Sequence, residues 1–233
     1  KTISYMVFCW FVAVVVLARA SLVPPVLPEA FFGKFTEFTA PLTGPPPYVN
    51  GEPDPPFIGS RGEVYYDWST QSQIEVRDDY CVNIFPQGNN FSCTFHNTNN
   101  SSYLISTPGP HNPFPPCCLF AHPFHPPPPS FLRDNVKSVS EGSMPWGKSP
   151  AQWWVVPEVP PPAGPFHYAF RDNSSPQVYL AFAFPGVNGW VQQNFFDISV
   201  KPPPKGVFDL PEVCQVDNLP NCGFFSNNLQ AKF

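Results

Sequence analysis

Proline is the residue that most constrains this chain, because it makes up 35 of the 233 residues, about three times its usual share. Proline has no backbone N–H and its ring clashes with the preceding helical turn, so helix interiors do not tolerate this density. Proline-rich stretches at 41–57, 157–165 and 201–206 are typical of stiff, extended connections. The sequence therefore predicts short strands separated by rigid loops, with little helix.

Alternation of apolar and polar residues predicts where the strands lie. Segments 63–68 and 73–77 flank a short polar turn, which is typical of a β-hairpin with one apolar and one solvent-facing side. The apolar positions are Val64, Tyr66 and Trp68 in the first segment and Ile74 and Val76 in the second, with Gln73, Glu75 and Arg77 opposite. Further strands are predicted at 166–171, 178–184 and 195–200, and weaker ones at 32–40, 81–85, 102–106, 136–141 and 152–156.

About ten short strands with turn-rich connections predict an all-β, mainly antiparallel fold. We expect a strongly curved sheet or sandwich that forms a half-barrel around an apolar pocket. The expected organisation is a signal peptide at 1–20, a proline-rich leader with the first strand at 21–57, the β half-barrel domain at 58–225 and a tail at 226–233. Residues 30–57 are expected to belong to the half-barrel as well.

The first twenty residues have the three parts of a secretory signal peptide. Lys1 supplies the positive start, Met6 to Leu17 form an apolar run, and Ala18-Arg19-Ala20 supplies a small-x-small site. The apolar run is shorter than the ~20 residues of a membrane span. We therefore expect a protein that is secreted or lumenal and has no stable membrane span.

Six cysteines remain beyond the predicted signal peptide, and an even number in a secreted chain indicates a disulfide framework. Six cysteines allow 15 pairings, and the sequence does not choose among them. Cys117 and Cys118 are not expected to bond to each other, because that ring strains the peptide. Our expectation is a local Cys81–Cys93 bond, with Cys117 and Cys118 bonded to Cys214 and Cys222.

The stretch PPCCLFAHPFHPPPPSF at 115–131 also offers a metal site, because His122 and His125 follow the paired cysteines. Zinc sites, however, usually space paired cysteines by two to four residues. Adjacent cysteines point apart on an extended chain, and the prolines oppose the helical turn that would bring the two histidines together. We therefore expect no metal here and a disulfide-anchored loop across the mouth or edge of the sheet.

Four N-x-S sequons support the secretory pathway; they begin at Asn90, Asn99, Asn100 and Asn173. The formal net charge of −5 argues against nucleic acid as a partner. The sequence contains no G-x-S-x-G, phosphate-loop or H-E-x-x-H motif, and we expect a protein that is not an enzyme.

The order of several segments resembles the ependymin-related proteins, especially their divergent relatives in protists and algae. The matching segments are YYDWSTQSQIEVR, Cys93 with the Cys117-Cys118 pair, PPPPSFL, QWWVV, FHYAFRD with VYLAFAF, and FFDISV with VFDLPEVC. They cover about residues 30–215. The resemblance implies a secreted, disulfide-linked, N-glycosylated protein whose curved sheet is similar to that of bacterial lipoprotein carriers. It also implies binding of lipids or other apolar ligands without catalytic residues.

The resemblance alone also implies that the protein could bind calcium and form a homodimer, since some family members are associated with calcium and some form dimers. No matching calcium motif is visible, so no metal ligands are assigned. The residues expected to line the pocket are Tyr66, Trp68, Ile74, Val76, Phe170, Leu180, Phe182, Phe196 and Ile198. Two other functions stay open: a structural or adhesive glycoprotein of a matrix or cell covering, and a secreted hydrolase.

Overall fold

The computed structural model describes residues 23–40, 59–143, 150–157, 165–171, 179–187 and 189–222. The predicted signal peptide, the Asn173 sequon, the 226–233 tail and residues 41–57 of the proline-rich leader lie outside the described residues.

Eleven strands in the described residues form one antiparallel sheet, as the alternation predicts. They are β1 (Ala30–Ala40), β2 (Ser60–Asp67), β3 (Ser72–Arg77), β4 (Cys93–Asn97), β5 (Ser102–Ser106), β6 (Cys117–Ala121), β7 (Ser138–Ser143), β8 (Pro150–Val156), β9 (Phe166–Arg171), β10 (Tyr179–Gly186) and β11 (Gly189–Ser199). Their order in the sheet is β6-β5-β4-β3-β2-β1-β11-β10-β9-β8-β7. Two meanders therefore lie side by side, and the antiparallel pair of β1 and β11 joins them.

The sheet is open and strongly curved. Tyr179 on β10 lies close enough to Glu75 on β3 for the glutamate charge to contribute to its raised pKa, although β2, β1 and β11 separate the two strands. Four strand spacings would hold them ~19 Å apart in a flat sheet. The face that carries both residues is called the concave face below, and the other face the convex face.

A proline-rich crossing connects the two edges of the sheet over the concave face. It runs from β6 through Pro126–Pro129 and a five-residue helix, α1 (Phe131–Asn135), to β7 at the opposite edge. The Tyr66 hydroxyl donates to the Pro127 carbonyl oxygen at 2.8 Å. Leu132 is fully buried in a cluster with Trp154 and Tyr168. The 115–131 stretch thus contains β6 and the first part of a strap, residues 122–137, which crosses the concave face.

Residues 81–85, predicted as a weak strand, form turns instead. This segment belongs to a loop that the Cys81–Cys93 bond closes after twelve residues. Its apolar side chains Val82 and Phe85 are buried against Phe95 and Leu104. The apolar run is explained by its burial on the concave face rather than by a place in the sheet. No helix in the described parts of the chain is long and apolar enough to span a membrane.

Glycine allows two strands to pack closely at the centre of the concave face. A Cβ on Gly62 would overlap the Val76 carbonyl oxygen and would lie 2.7 Å from Cζ of Phe35. Because Gly62 has no side chain, β2 leaves room at this position for the Phe35 ring, which is fully buried.

Candidate functional site

The nine residues predicted to line a pocket divide between the two faces of the sheet. The strand pairing and the buried clusters place Tyr66, Trp68, Phe170, Phe182 and Ile198 on the concave side and Ile74, Val76, Leu180 and Phe196 on the convex side. The structure therefore brings together five of the nine.

Register and bulges explain this division. Val64 pairs with Glu75, and Ile74 pairs with Tyr65, so the apolar face of β2 continues into the polar face of β3. Near the end of β11, two residues oppose Gly33, and Asp197 adopts a left-handed φ of 52°. The bulge turns Ile198 toward the concave cluster while Phe196 stays 43% exposed on the other face.

The prediction that Arg77 lies on the solvent-facing side of this hairpin is wrong, because Arg77 is only 2% exposed. Gln73, Glu75 and Arg77 share the concave face with Tyr66 and Val64. Because the sheet curves around this face, polar side chains on it are taken out of water along with the aromatic ones. A single-strand alternation pattern cannot reveal this, since either face of an isolated strand can be the buried one.

A continuous wall of aromatic side chains lines the concave face along β9, β10 and β11. Its members are Phe166, Tyr168, Tyr179, Phe182, Phe184 and Phe195, and all except Tyr168 are only partly buried. Phe182 lies 5.3 Å from Phe166, 4.9 Å from Tyr168 and 5.1 Å from Phe184, between ring centroids. Tyr179 stacks on Phe195 at 4.7 Å, and edge contacts and offset stacks of this kind are favourable. This set is called the aromatic wall below.

A buried cluster of charged and amide groups faces the aromatic wall from β1, β3 and β11. Arg77 donates to Glu37 through Nε at 3.2 Å and through Nη2 at 2.9 Å, and Nη2 also donates to Glu75 at 2.8 Å. Gln193 Nε2 donates to both carboxylates at 3.0 Å. Phe35 and Phe95 hold the guanidinium, with its carbon 5.4 Å and 5.3 Å from the two ring centroids. This set of Glu37, Glu75, Arg77 and Gln193 is called the charged cluster below.

The electrostatics of the concave face follow from burial. Burial alone would lower the pKa of the Arg77 guanidinium, but the charges of Glu37 and Glu75 outweigh burial and raise the pKa. Burial, followed by the charge of Glu75, raises the pKa of Tyr168. Burial is also the main reason that the pKa of Tyr179 is raised, with smaller contributions from Tyr168 and Glu75. Both phenols therefore stay neutral at physiological pH.

All six cysteines beyond the predicted signal peptide form the disulfide bonds expected from the sequence. Bonds join Cys81 to Cys93, Cys117 to Cys214 and Cys118 to Cys222. Cys117 and Cys118 lie on edge strand β6 and point to opposite faces, as neighbours on a strand must. Their thiols are thus used in disulfides, and within the described ranges no group of three or more metal-binding side chains comes together.

The structure also contains a serine–histidine pair that no motif in the sequence indicated. The Ser101 hydroxyl lies 2.9 Å from Nδ1 of His122. In the described part of the chain no hydrogen bond joins His122 to a carboxylate, the third group that orients the base in hydrolase triads. The contact fixes the start of the strap against the β4–β5 turn.

Three of the predicted glycosylation positions lie in the described residues. Asn90, Asn99 and Asn100 are all exposed, the first in the loop before β4 and the other two in the β4–β5 turn. Each could carry a glycan without a change in the fold. Asn90 also borders a shallow, open depression between residues 87–90 and 110–113.

Comparison with known proteins adds no family. No protein-family model matches the chain, and no curated protein matches its sequence. The resemblance to ependymin-related proteins therefore stays a prediction, and the function must be argued from the concave face.

Proposed function

We propose that this protein is a secreted, disulfide-stabilised glycoprotein that binds a lipid or another hydrophobic ligand on its concave face, without catalysis. The aromatic wall is the observation that carries the proposal. Its partly exposed rings are contiguous and lie inside a curved sheet, whereas large connected apolar surfaces on soluble proteins usually mark binding sites. The assignment to the ependymin-related family is part of the same proposal.

The strap supports this proposal by closing one side of the concave space. Tyr66 and Leu132 fix it to the two halves of the sheet, and its four successive prolines make it stiff. A ligand that lies on the aromatic wall beside the strap would be shielded from water on that side, and burial of most of a ligand's surface is the arrangement that small-molecule sites require.

Two neighbouring phenylalanines provide a matched test. Phe195 lies in the aromatic wall, whereas Phe196 lies on the convex face and is more exposed. Phe195→Ala should weaken binding of a neutral environment-sensitive dye such as Nile red about thirtyfold, because it removes ~2 kcal/mol of apolar contact. Phe196→Ala should leave the dye affinity unchanged, and fluorescence titration measures both.

Equal effects of the two substitutions, or no dye binding by the unaltered protein, would reject the concave face as the site. Circular dichroism of both variants checks that the fold persists. Native mass spectrometry of protein from its own secretory source should also show a mass increment that organic extraction removes.

A structural or adhesive role is the second candidate, and a specific observation favours it. Tyr66 and Phe170, two of the predicted lining residues, are almost fully buried against the chain's own residues, at 2% and 1% exposure. An interior filled in this way needs no ligand. Absence of both dye binding and co-purified lipid would favour this candidate.

A further inference from the structure

The charged cluster carries an uncompensated negative charge. It contains one guanidinium and two carboxylates, and every hydrogen bond that Glu37 and Glu75 make within it is accepted from a donor, as ionised carboxylates require. Lys34 lies on β1 and Arg61 on the neighbouring strand β2, but their pairing places both on the convex face. The formal charge of the cluster is therefore −1.

Glu75 is the member of the charged cluster that a ligand would meet. Its side chain is 17% exposed, against 2% for Arg77 and 5% for Glu37. Oε1 of Glu75 accepts one hydrogen bond, from Gln73 at 2.7 Å, and an ionised carboxylate oxygen can accept more than one. Its Oε2 accepts a hydrogen bond from Gln193 at 3.0 Å, and Gln193 is paired with Phe182 of the aromatic wall on the neighbouring strand.

We propose that the concave face selects its ligand by head-group charge: it takes a single-chain amphiphile whose ammonium head lies between Glu75 and the rings of the aromatic wall, and it disfavours the carboxylate-headed counterpart. A carboxylate beside aromatic rings is an arrangement that suits ammonium ions, because both attract positive charge. A carboxylate head would instead add a second negative charge in a poorly solvated place, where Arg77 is already shared by two glutamates.

This inference rests on the proposed function, since it names the class of ligand for the same site. The experiment compares three ligands with one chain length: decyltrimethylammonium, decanol and decanoate, each below its micelle concentration, by isothermal titration at pH 7.5. The ammonium compound should bind the unaltered protein at least about tenfold more tightly than decanoate, with decanol between them.

Substitution of Glu75 locates the origin of the selectivity. Glu75→Gln removes the excess charge, so the preference for the ammonium compound over decanoate should shrink by about tenfold. Glu63→Gln is the matched control, because it removes one carboxylate from the adjacent strand on the convex face and should leave the preference intact.

Each outcome bears on one of the two proposals. Equal binding of the three compounds, or tighter binding of decanoate, overturns the head-group inference and leaves the proposed function standing. No binding of any compound overturns both. If Glu75→Gln does not fold, as judged by near-ultraviolet circular dichroism, the ranking in the unaltered protein still decides the inference.

Discussion

Asp197 determines, at the scale of single residues, which side chains of β11 reach the concave face. Its left-handed backbone creates the bulge opposite Gly33. Without the bulge, Ile198 would point to the same face as Phe196. The side chain of Ile198 instead fills the space where a Cβ on Gly33 would lie. Asp197, with its positive φ, and Gly33 together therefore place Ile198 on the concave face.

The buried ring of His96 is expected to make the free energy of unfolding depend on pH. It is 1% exposed on the convex face; burial lowers the pKa of its ring, and a hydrogen bond to the Phe208 backbone opposes this only in part. Because the folded pKa is depressed, the contribution of His96 to stability is present above the unfolded pKa of about 6.5 and is lost as the pH falls. The free energy of unfolding, measured with urea at pH 7.5 and 5.5, should therefore decrease more for the unaltered protein than for His96→Gln.

His111, which is exposed, supplies the control for this measurement. His111→Gln should retain the pH dependence of the unaltered protein. If His96→Gln retained it in full as well, the buried ring would not be the group that titrates.

The C-terminal segment is the element that holds β6 in place. After β11 it passes over the convex face, where Lys201 lies over the Phe32 ring at 5.5 Å and Phe208 bonds to His96. Cys214 of this segment then forms a disulfide with Cys117, and Asn221 pairs with Leu119 in a parallel β-bridge at the sheet edge. Cys222 finally reaches the other face to bond Cys118. The segment thus covers an edge that would otherwise be open to pairing with another chain.

The two disulfides at β6 are expected to act non-additively. Alone, either bond closes a loop of 97 or 104 residues, worth about 4.7 kcal/mol in the chain-entropy model. With one bond intact, the other closes only a small ring, made of the one-residue step from Cys117 to Cys118 and the eight-residue step from Cys214 to Cys222, worth about 2.6 kcal/mol. Removing both bonds should therefore cost about 7 kcal/mol, more than the sum of the two single losses.

Urea unfolding of three serine variants measures this: Cys117→Ser with Cys214→Ser, Cys118→Ser with Cys222→Ser, and all four together. Loss of the Cys81–Cys93 bond, which closes a separate loop of twelve residues, is the additive control. Additive losses at β6 would mean that the bonds act through local packing rather than through chain entropy.

At the scale of the whole molecule, the fold class could be predicted but the interior could not. The antiparallel β architecture follows from proline density and two-residue alternation, and strands such as 102–106 and 166–171 are found where they were predicted. The face of each strand depends on register and bulges, which are long-range properties. This is why Ile74 and Phe196 were expected inside, and why the charged cluster, whose members are up to 156 residues apart, was missed.

The exposed sequons give a prediction for the molecule as a whole. Expression through a eukaryotic secretory pathway should add N-glycans at Asn90 and at one of the overlapping Asn99 and Asn100 sites, because all three side chains are accessible. Intact-mass measurement before and after peptide N-glycosidase treatment checks this, with Asn90→Gln as the variant that should lose one glycan. An unchanged mass would contradict passage through that pathway.

The long separation between the paired cysteines has a consequence during synthesis. Cys93 follows Cys81 by twelve residues, so that bond can close while the chain is still being made. Cys117 must wait for Cys214, 97 residues later, which at about 5–20 residues per second is a delay of about 5–20 s. For that interval two adjacent thiols are available to wrong partners, so correct oxidation of this protein should depend on an isomerase more than its size alone suggests.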